Sequence, residues 1–136
     1  MPLSLLATRL AAQAKTLTVN KGAIVFAQGE KPSGVFVVLD GSVRLSLVSN
    51  IGADVWSRSQ GAGAILGLPA CMSGHDYSMS AIAEEVSTVA FVGRAELKQL
   101  AASDPVVGRD ILHILSDEVF NARRAFASVK SSSLFP

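Results

Sequence analysis

From Val19 to Leu45 the chain reads Val-Asn-Lys-Gly-Ala-Ile-Val-Phe-Ala-Gln-Gly-Glu-Lys-Pro-Ser-Gly-Val-Phe-Val-Val-Leu-Asp-Gly-Ser-Val-Arg-Leu. Residues 23–26 and 35–39 are short apolar runs rich in β-branched and aromatic side chains, and Gly22, Gly29, Gly34 and Gly41 bound them. Short runs of this kind between glycines read as strands joined by tight turns, because glycine accepts the positive φ that a side chain resists. Val43, Leu45 and Leu47 then alternate with Ser42, Arg44 and Ser46, giving one apolar and one polar face until Val48 breaks the pattern. Strands this short, turned this tightly, predict a small antiparallel β-roll or jelly roll.

The remaining segments fit that frame. Residues 49–54 form a hairpin loop before a returning strand at 55–59, and Gly61-Ala62-Gly63 makes a corner before Ile65. Residues 77–83 and 88–92 are further strand candidates, the second dense in β-formers, which brings the expected number to about eight. From Arg94 the period changes. Residues 95–100 open a helix that stops before Asp104-Pro105, and a longer helix is expected over 106–129. At the other end, residues 3–14 read as a short amphipathic helix with Leu5, Leu6 and Leu10 on one side. The expected fold is mainly β with flanking helices: an N-terminal helix in 1–15, an eight-stranded roll in 16–94, C-terminal helices in 95–130 and a tail at 131–136.

At 136 residues and 49% apolar, the chain suits one domain with a real core. Its formal net charge is +1 and its densest basic cluster is Arg123-Arg124, so the positive field of a nucleic-acid binder is missing. No apolar run approaches the roughly 20 residues that span a bilayer. Ala12-Gln13-Ala14 resembles a signal-peptidase site, but no basic residue precedes the apolar stretch and Arg9 interrupts it, so secretion is not expected. The single cysteine, Cys71, excludes an internal disulfide and suits a reducing compartment, which points to the cytoplasm.

The last helix carries a second pattern. Leu112, Leu115, Val119, Ala122, Phe126 and Val129 are spaced alternately by three and four residues, as in a coiled-coil seam. Ile111 and Ile114 lie on an adjacent stripe that can pack on the roll, leaving the seam for a second copy of the chain and the small Ala122 for close helix approach. A homodimer through Leu112, Leu115, Val119, Ala122 and Phe126 is the expectation, twofold dimers being the commonest oligomers.

The order Gly29-Glu30, the spacing of the two strands and Gly41-Ser42-Val43-Arg44 together resemble a cyclic-nucleotide-binding domain of the catabolite-activator and FNR-type regulator superfamily. The resemblance runs from about residue 17 to residue 127. It implies a ligand inside the roll, held by a phosphate-binding cassette that corresponds here to residues 63–78. In such cassettes a helix start offers backbone N–H groups to the cyclic phosphate, an arginine completes the charge pairing, and a glutamate after the cassette glycine accepts the ribose hydroxyl. This chain departs at both decisive positions: Leu68 follows Gly67 where the glutamate is expected, and Tyr77 stands in place of the arginine, with Ser78 beside it.

A charge-assisted Arg–phosphate hydrogen bond contributes on the order of 1.5–3 kcal/mol, so its loss weakens binding by roughly ten to several hundredfold. Cyclic AMP or cyclic GMP is therefore expected to bind weakly. The candidate binding residues are Gly67, Leu68, Pro69, Ala70, Cys71, Tyr77 and Ser78, with backbone N–H groups near 68–71 and the Tyr77 and Ser78 hydroxyls as neutral donors, and Arg123 reaching in from the last helix. On this reading, Leu68→Glu with Tyr77→Arg restores cyclic nucleotide affinity. The apolar cassette equally suits a less charged effector or none.

Other chemistries find little support. The resemblance admits a redox or haem-ligand role for Cys71, although a lone cysteine in an apolar segment reads first as an inert, buried small residue. His75 and His113 are too few and too far apart for a metal site. Asp76 beside His75 lacks the strained Gly-x-Ser-x-Gly turn of a nucleophile, so no enzyme is expected. The sequence stops soon after the last helix, so no DNA-recognition helix and no direct DNA binding are expected. Two functions remain: a sensor module whose roll binds a small effector and shifts the C-terminal helix, or an interaction scaffold with an empty or differently filled roll that dimerises through that helix.

Overall fold

The computed structural model describes residues 4–132, with the side chains of Ala125, Phe126 and residues 128–132 left out of the description. Phe126 and Val129 of the expected seam therefore lie outside the described residues. Helix α1 (Leu5–Ala12) starts at Ser4, whose hydroxyl accepts the Ala7 N–H at 3.1 Å and so satisfies one of the helix's free donors. It buries Leu6, Ala7 and Leu10, while Leu5, expected on the same side, points to solvent.

Eight antiparallel strands follow: β1 (Lys15–Val19), β2 (Ile24–Phe26), β3 (Gly34–Asp40), β4 (Val43–Val48), β5 (Asp54–Gln60), β6 (Ile65–Leu66), β7 (Ser80–Ala83) and β8 (Ser87–Gly93). They form two four-stranded sheets, ordered β1-β8-β3-β6 and β2-β7-β4-β5, which face each other as a roll. The penultimate strand starts at Ser80 rather than at Tyr77, because Tyr77 and Ser78 belong to the loop that closes the cassette.

The unbroken apolar run in β3 has a simple cause: both of its faces are covered. Val35 and Val37 pack with Leu6, Leu10, Ala90, Val92, Leu97, Val107 and Ile111 in a core between sheet and helices. Phe36 and Val38 face the roll interior with Phe26, Val43, Leu66, Ala81 and Val89. Strand β4 shows where alternation misleads. Ser46, read as solvent-facing, is buried and its hydroxyl bonds an Asp54 carboxylate oxygen at 3.1 Å. The break foreseen at Val48 coincides with a register shift against β5 between Leu47 and Val48.

Two glycines in the opening motif act differently. Gly41 has φ 99° at the β3–β4 turn, and a Cβ there would run into Ser87. Gly34 has no positive φ; its missing side chain lets β3 approach Phe91 and Val92 closely. Past the roll come α3 (Arg94–Ser103) and α4 (Pro105–Ser132). Asp104 forms the joint: its carboxylate accepts the Val106 and Val107 N–H groups at 3.0 and 3.4 Å, and it pairs with Arg9 of α1 at 2.6 Å. Pro105 fits at the helix start, where its missing N–H costs nothing.

Candidate functional site

Between β6 and β7 the cassette folds into helix α2 (Leu68–Ser73), set off by Gly67 (φ 85°) and Gly74 (φ 83°). A side chain at Gly67 would be strained by that φ, and its Cβ would lie 2.9 Å from the Tyr77 ring. The short helix has two faces. Leu68 and Cys71, both 0% exposed, point into the core shared with α1, α3 and α4, whereas Ala70 packs in the roll core. The side chains of Leu68 and Cys71 thus hold the cassette onto the helices and are not on the wall of the roll cavity, which leaves their backbone groups as what a ligand can meet.

The cavity at the cassette has a volume of about 110 Å³ and is walled by Gly67, Pro69 and Ala70, by Phe26, Leu45 and Leu66 of the roll, by Tyr77, Ser78 and Met79, and by Glu118 of α4. Pockets for drug-sized ligands begin at roughly 300 Å³. In this conformation the cassette cavity holds only a small molecule.

Tyr77 explains much of the filling. Its side chain is 3% exposed and its ring stacks on Phe26 with centroids 4.0 Å apart. The hydroxyl donates its one proton to the Gly34 carbonyl at 2.6 Å and accepts the Ser33 and Gly34 N–H groups at 3.1 and 3.2 Å. Its backbone N–H donates to the Glu30 carbonyl, and its own carbonyl accepts the Gly29 N–H. Tyr77 therefore staples the β2–β3 loop to the cassette, and its phenol proton, expected to serve a ligand as a neutral donor, is committed to the Gly34 carbonyl. Ser78 is exposed and lines the cavity.

The backbone donors are also fewer than expected. Pro69 has no N–H, and the Cys71 N–H is used by the Gly67 carbonyl at 3.2 Å, which leaves Leu68 and Ala70 at the helix start. Arg123 is exposed on α4 and is not part of the cavity wall. One guanidinium does touch the cassette, but at its far end: Arg94 donates to the Cys71 carbonyl at 2.9 Å. An arginine opening α3 directly after a strand was the only sequence signal for this tie.

Charge at the cavity is negative. Among the described residues, Glu118 is the one ionisable side chain on its wall apart from the committed Tyr77, and partial desolvation raises the carboxyl's pKa. Burial likewise raises the pKa of the Cys71 thiol, against smaller lowering effects from Arg94 and Tyr77. Among the described residues no group of His, Cys, Asp and Glu side chains is arranged to hold a metal ion, and no helix is long and apolar enough to cross a membrane.

The family model for the cyclic nucleotide-binding domain matches residues 16–104. No curated protein sequence matches the chain. Among solved structures, the catabolite activator protein of Thermus thermophilus superposes with a TM-score of 0.83 at 21% identity over 93% of this chain. The chain spans 60% of that regulator's length. A transcriptional regulator of Thermotoga maritima gives 0.77 at 20% identity, covering 90% of this chain and 98% of that one. The regulatory domain of Toxoplasma gondii PKA, crystallised with cAMP, gives 0.70 at 21% identity, covering 83% of this chain and 41% of its own. At these identities the structural matches establish a shared fold, which is that of catabolite-activator-type regulators. With the family model spanning most of the roll and the first C-terminal helix, the chain belongs to the cyclic nucleotide-binding domain family.

Proposed function

We propose that this chain is a regulatory sensor domain in which a small effector in the roll is read by α4. The observation that carries this reading is the composition of the cavity wall. Cassette residues Gly67, Pro69 and Ala70 and the α4 residue Glu118 border one space, so an occupant touches both the roll and the helix leading out of it. An effector can shift α4 only through contacts that differ between two positions of the helix, and Glu118 supplies such a contact. Cyclic AMP, the ligand of the Toxoplasma relative's crystals, is expected to bind weakly here: the cavity is small, offers no cationic side chain and has a carboxylate on its wall. The test is a ligand screen read by amide NMR shifts. A ligand that shifts Gly67 and Ala70 should also shift α4 around Glu118; saturable binding that moves cassette amides and leaves α4 unchanged would refute the coupling.

A second reading, the self-pairing scaffold, rests on the face of α4. The helix is 28 residues long, about 42 Å at 1.5 Å per residue. Ile111 is buried and Ile114 and Leu115 pack against the core, but Leu112 is 63% and Val119 52% exposed, and residues 116–124 are exposed throughout. An exposed apolar stripe on a helix of this length suits a partner helix. A second copy of α4 packed along Leu112, Val119 and Ala122 fits it, with Leu115 only half available because it already serves the core. The two readings are compatible, since paired α4 helices give an effector a route between subunits.

A further inference from the structure

We infer that the roll cavity takes a small organic cation, an ammonium group on an apolar body of about half a dozen heavy atoms, with Glu118 as its counter-ion; this rests on the sensor reading of the same cavity. Glu118 makes no ion pair or hydrogen bond among the described residues, and it borders the cavity. Glu118 lies on the exposed stretch of α4 at the rim of the cavity, and a cation held in the cavity beside it is attracted by its negative charge. An anion in the same space meets the opposite effect.

The walls select the kind of cation. Phe26, Leu45, Leu66 and Met79 offer no oxygen donors, so a metal ion would lose its hydration shell for one carboxylate and the Ser78 hydroxyl. An alkylammonium ion instead buries its carbons against these side chains and keeps its N–H groups for Glu118 and Ser78. The Phe26 and Tyr77 rings add favourable cation–π surface. Size sets the limit: an apolar cavity of about 150 Å³ holds benzene, and the 110 Å³ here holds slightly less.

Three probes with the same four-carbon skeleton test this: n-butylammonium, butan-1-ol and butyrate, each titrated into the full chain and read by amide NMR shifts at Gly67, Ala70 and Ser78. Butylammonium should saturate in the millimolar range at least tenfold tighter than butan-1-ol, with butyrate weakest. In Glu118→Gln the advantage of the cation over the alcohol should vanish, while the thermal midpoint stays put. Equal affinity for butylammonium and butan-1-ol in the unmodified chain would overturn the inference and leave the sensor reading standing, because a neutral occupant still borders α4. Absence of cassette shifts with butylammonium would overturn it as well. The sensor reading would then fall only if a ligand found by the wider screen moved the cassette without moving α4.

Discussion

Replacing Tyr77 with phenylalanine removes one oxygen atom and should cost about 2 kcal/mol of stability. The ring remains, so the 4.0 Å stack on Phe26 and the filling of the roll are kept. What disappears is the junction at Gly34, whose carbonyl receives the phenol proton and whose N–H, with that of Ser33, points at the phenol oxygen. Ser33 is exposed and its N–H can be rehydrated; Gly34 is buried within β3, and its N–H is left without an acceptor. A buried donor deprived of its partner costs about 1–3 kcal/mol. With urea m-values of about 1–3 kcal/mol/M for small proteins, the midpoint should fall by roughly 1 M at unchanged m. Tyr77→Ala loses the stack as well and should cost about 3–5 kcal/mol. Because the hydroxyl is committed to the backbone, ligand affinity in Tyr77→Phe should stay within a factor of two of the parent. A urea midpoint indistinguishable from the parent would refute the staple, and a large loss of affinity with intact stability would return the hydroxyl to the binding site.

Leu68→Glu with Tyr77→Arg, which the family pattern offers as a repair, should unfold the cassette: residue 68 lies in the core between sheet and helices, where an unpaired carboxylate costs several kcal/mol. Gain of cyclic AMP binding by calorimetry in a folded double variant would contradict that placement. Val119→Asp should halve the mass measured by light scattering if α4 pairs with itself, and an unchanged dimer mass would remove the seam. At Asp104, partial desolvation pushes the carboxyl's pKa up, but the hydrogen bond from Arg9 and those from Val106 and Val107 outweigh it and hold the pKa below the usual value. A group held low in the fold adds stability that is complete above its unfolded pKa, near 3.9, and is lost as pH falls through the folded one. Asp104→Asn should therefore flatten the acid limb of a stability-versus-pH curve below about pH 4, leaving the share of Glu84, held low chiefly by Ser42. An acid limb as steep as the parent's would contradict the joint.

The roll was legible because its strands are short, apolar and separated by glycines, seven of which take positive φ in the structure. Strand β1 escaped the reading: Lys-Thr-Leu-Thr-Val buries only Leu17 and Val19, and those partly, so its alternation is faint. The cassette could be placed by order along the chain, but the direction of each side chain could not. In a helix of six residues, one position decides whether a side chain meets the cavity or the core, and Leu68 and Cys71 fall on the core side. Tyr77 read as a weak stand-in for arginine because its partners, Ser33 and Gly34, are more than forty positions away. Glu118 was overlooked for the same reason. Nothing local marks an acidic residue on an exposed helix as part of a wall formed by residues 26–79.

The account turns on a roll that keeps the family's fold while its cassette cavity presents, among the described residues, no cationic side chain for a phosphate. Isothermal titration of the purified chain with cyclic AMP and cyclic GMP tests this most directly. The arrangement of Tyr77, Leu68 and Glu118 predicts no saturable heat at micromolar concentrations, with any binding confined to the millimolar range. Saturable micromolar binding of either nucleotide would contradict the account, because it would require the cavity to enlarge and the Leu68 and Ala70 N–H groups with Ser78 to hold the phosphate without a cation.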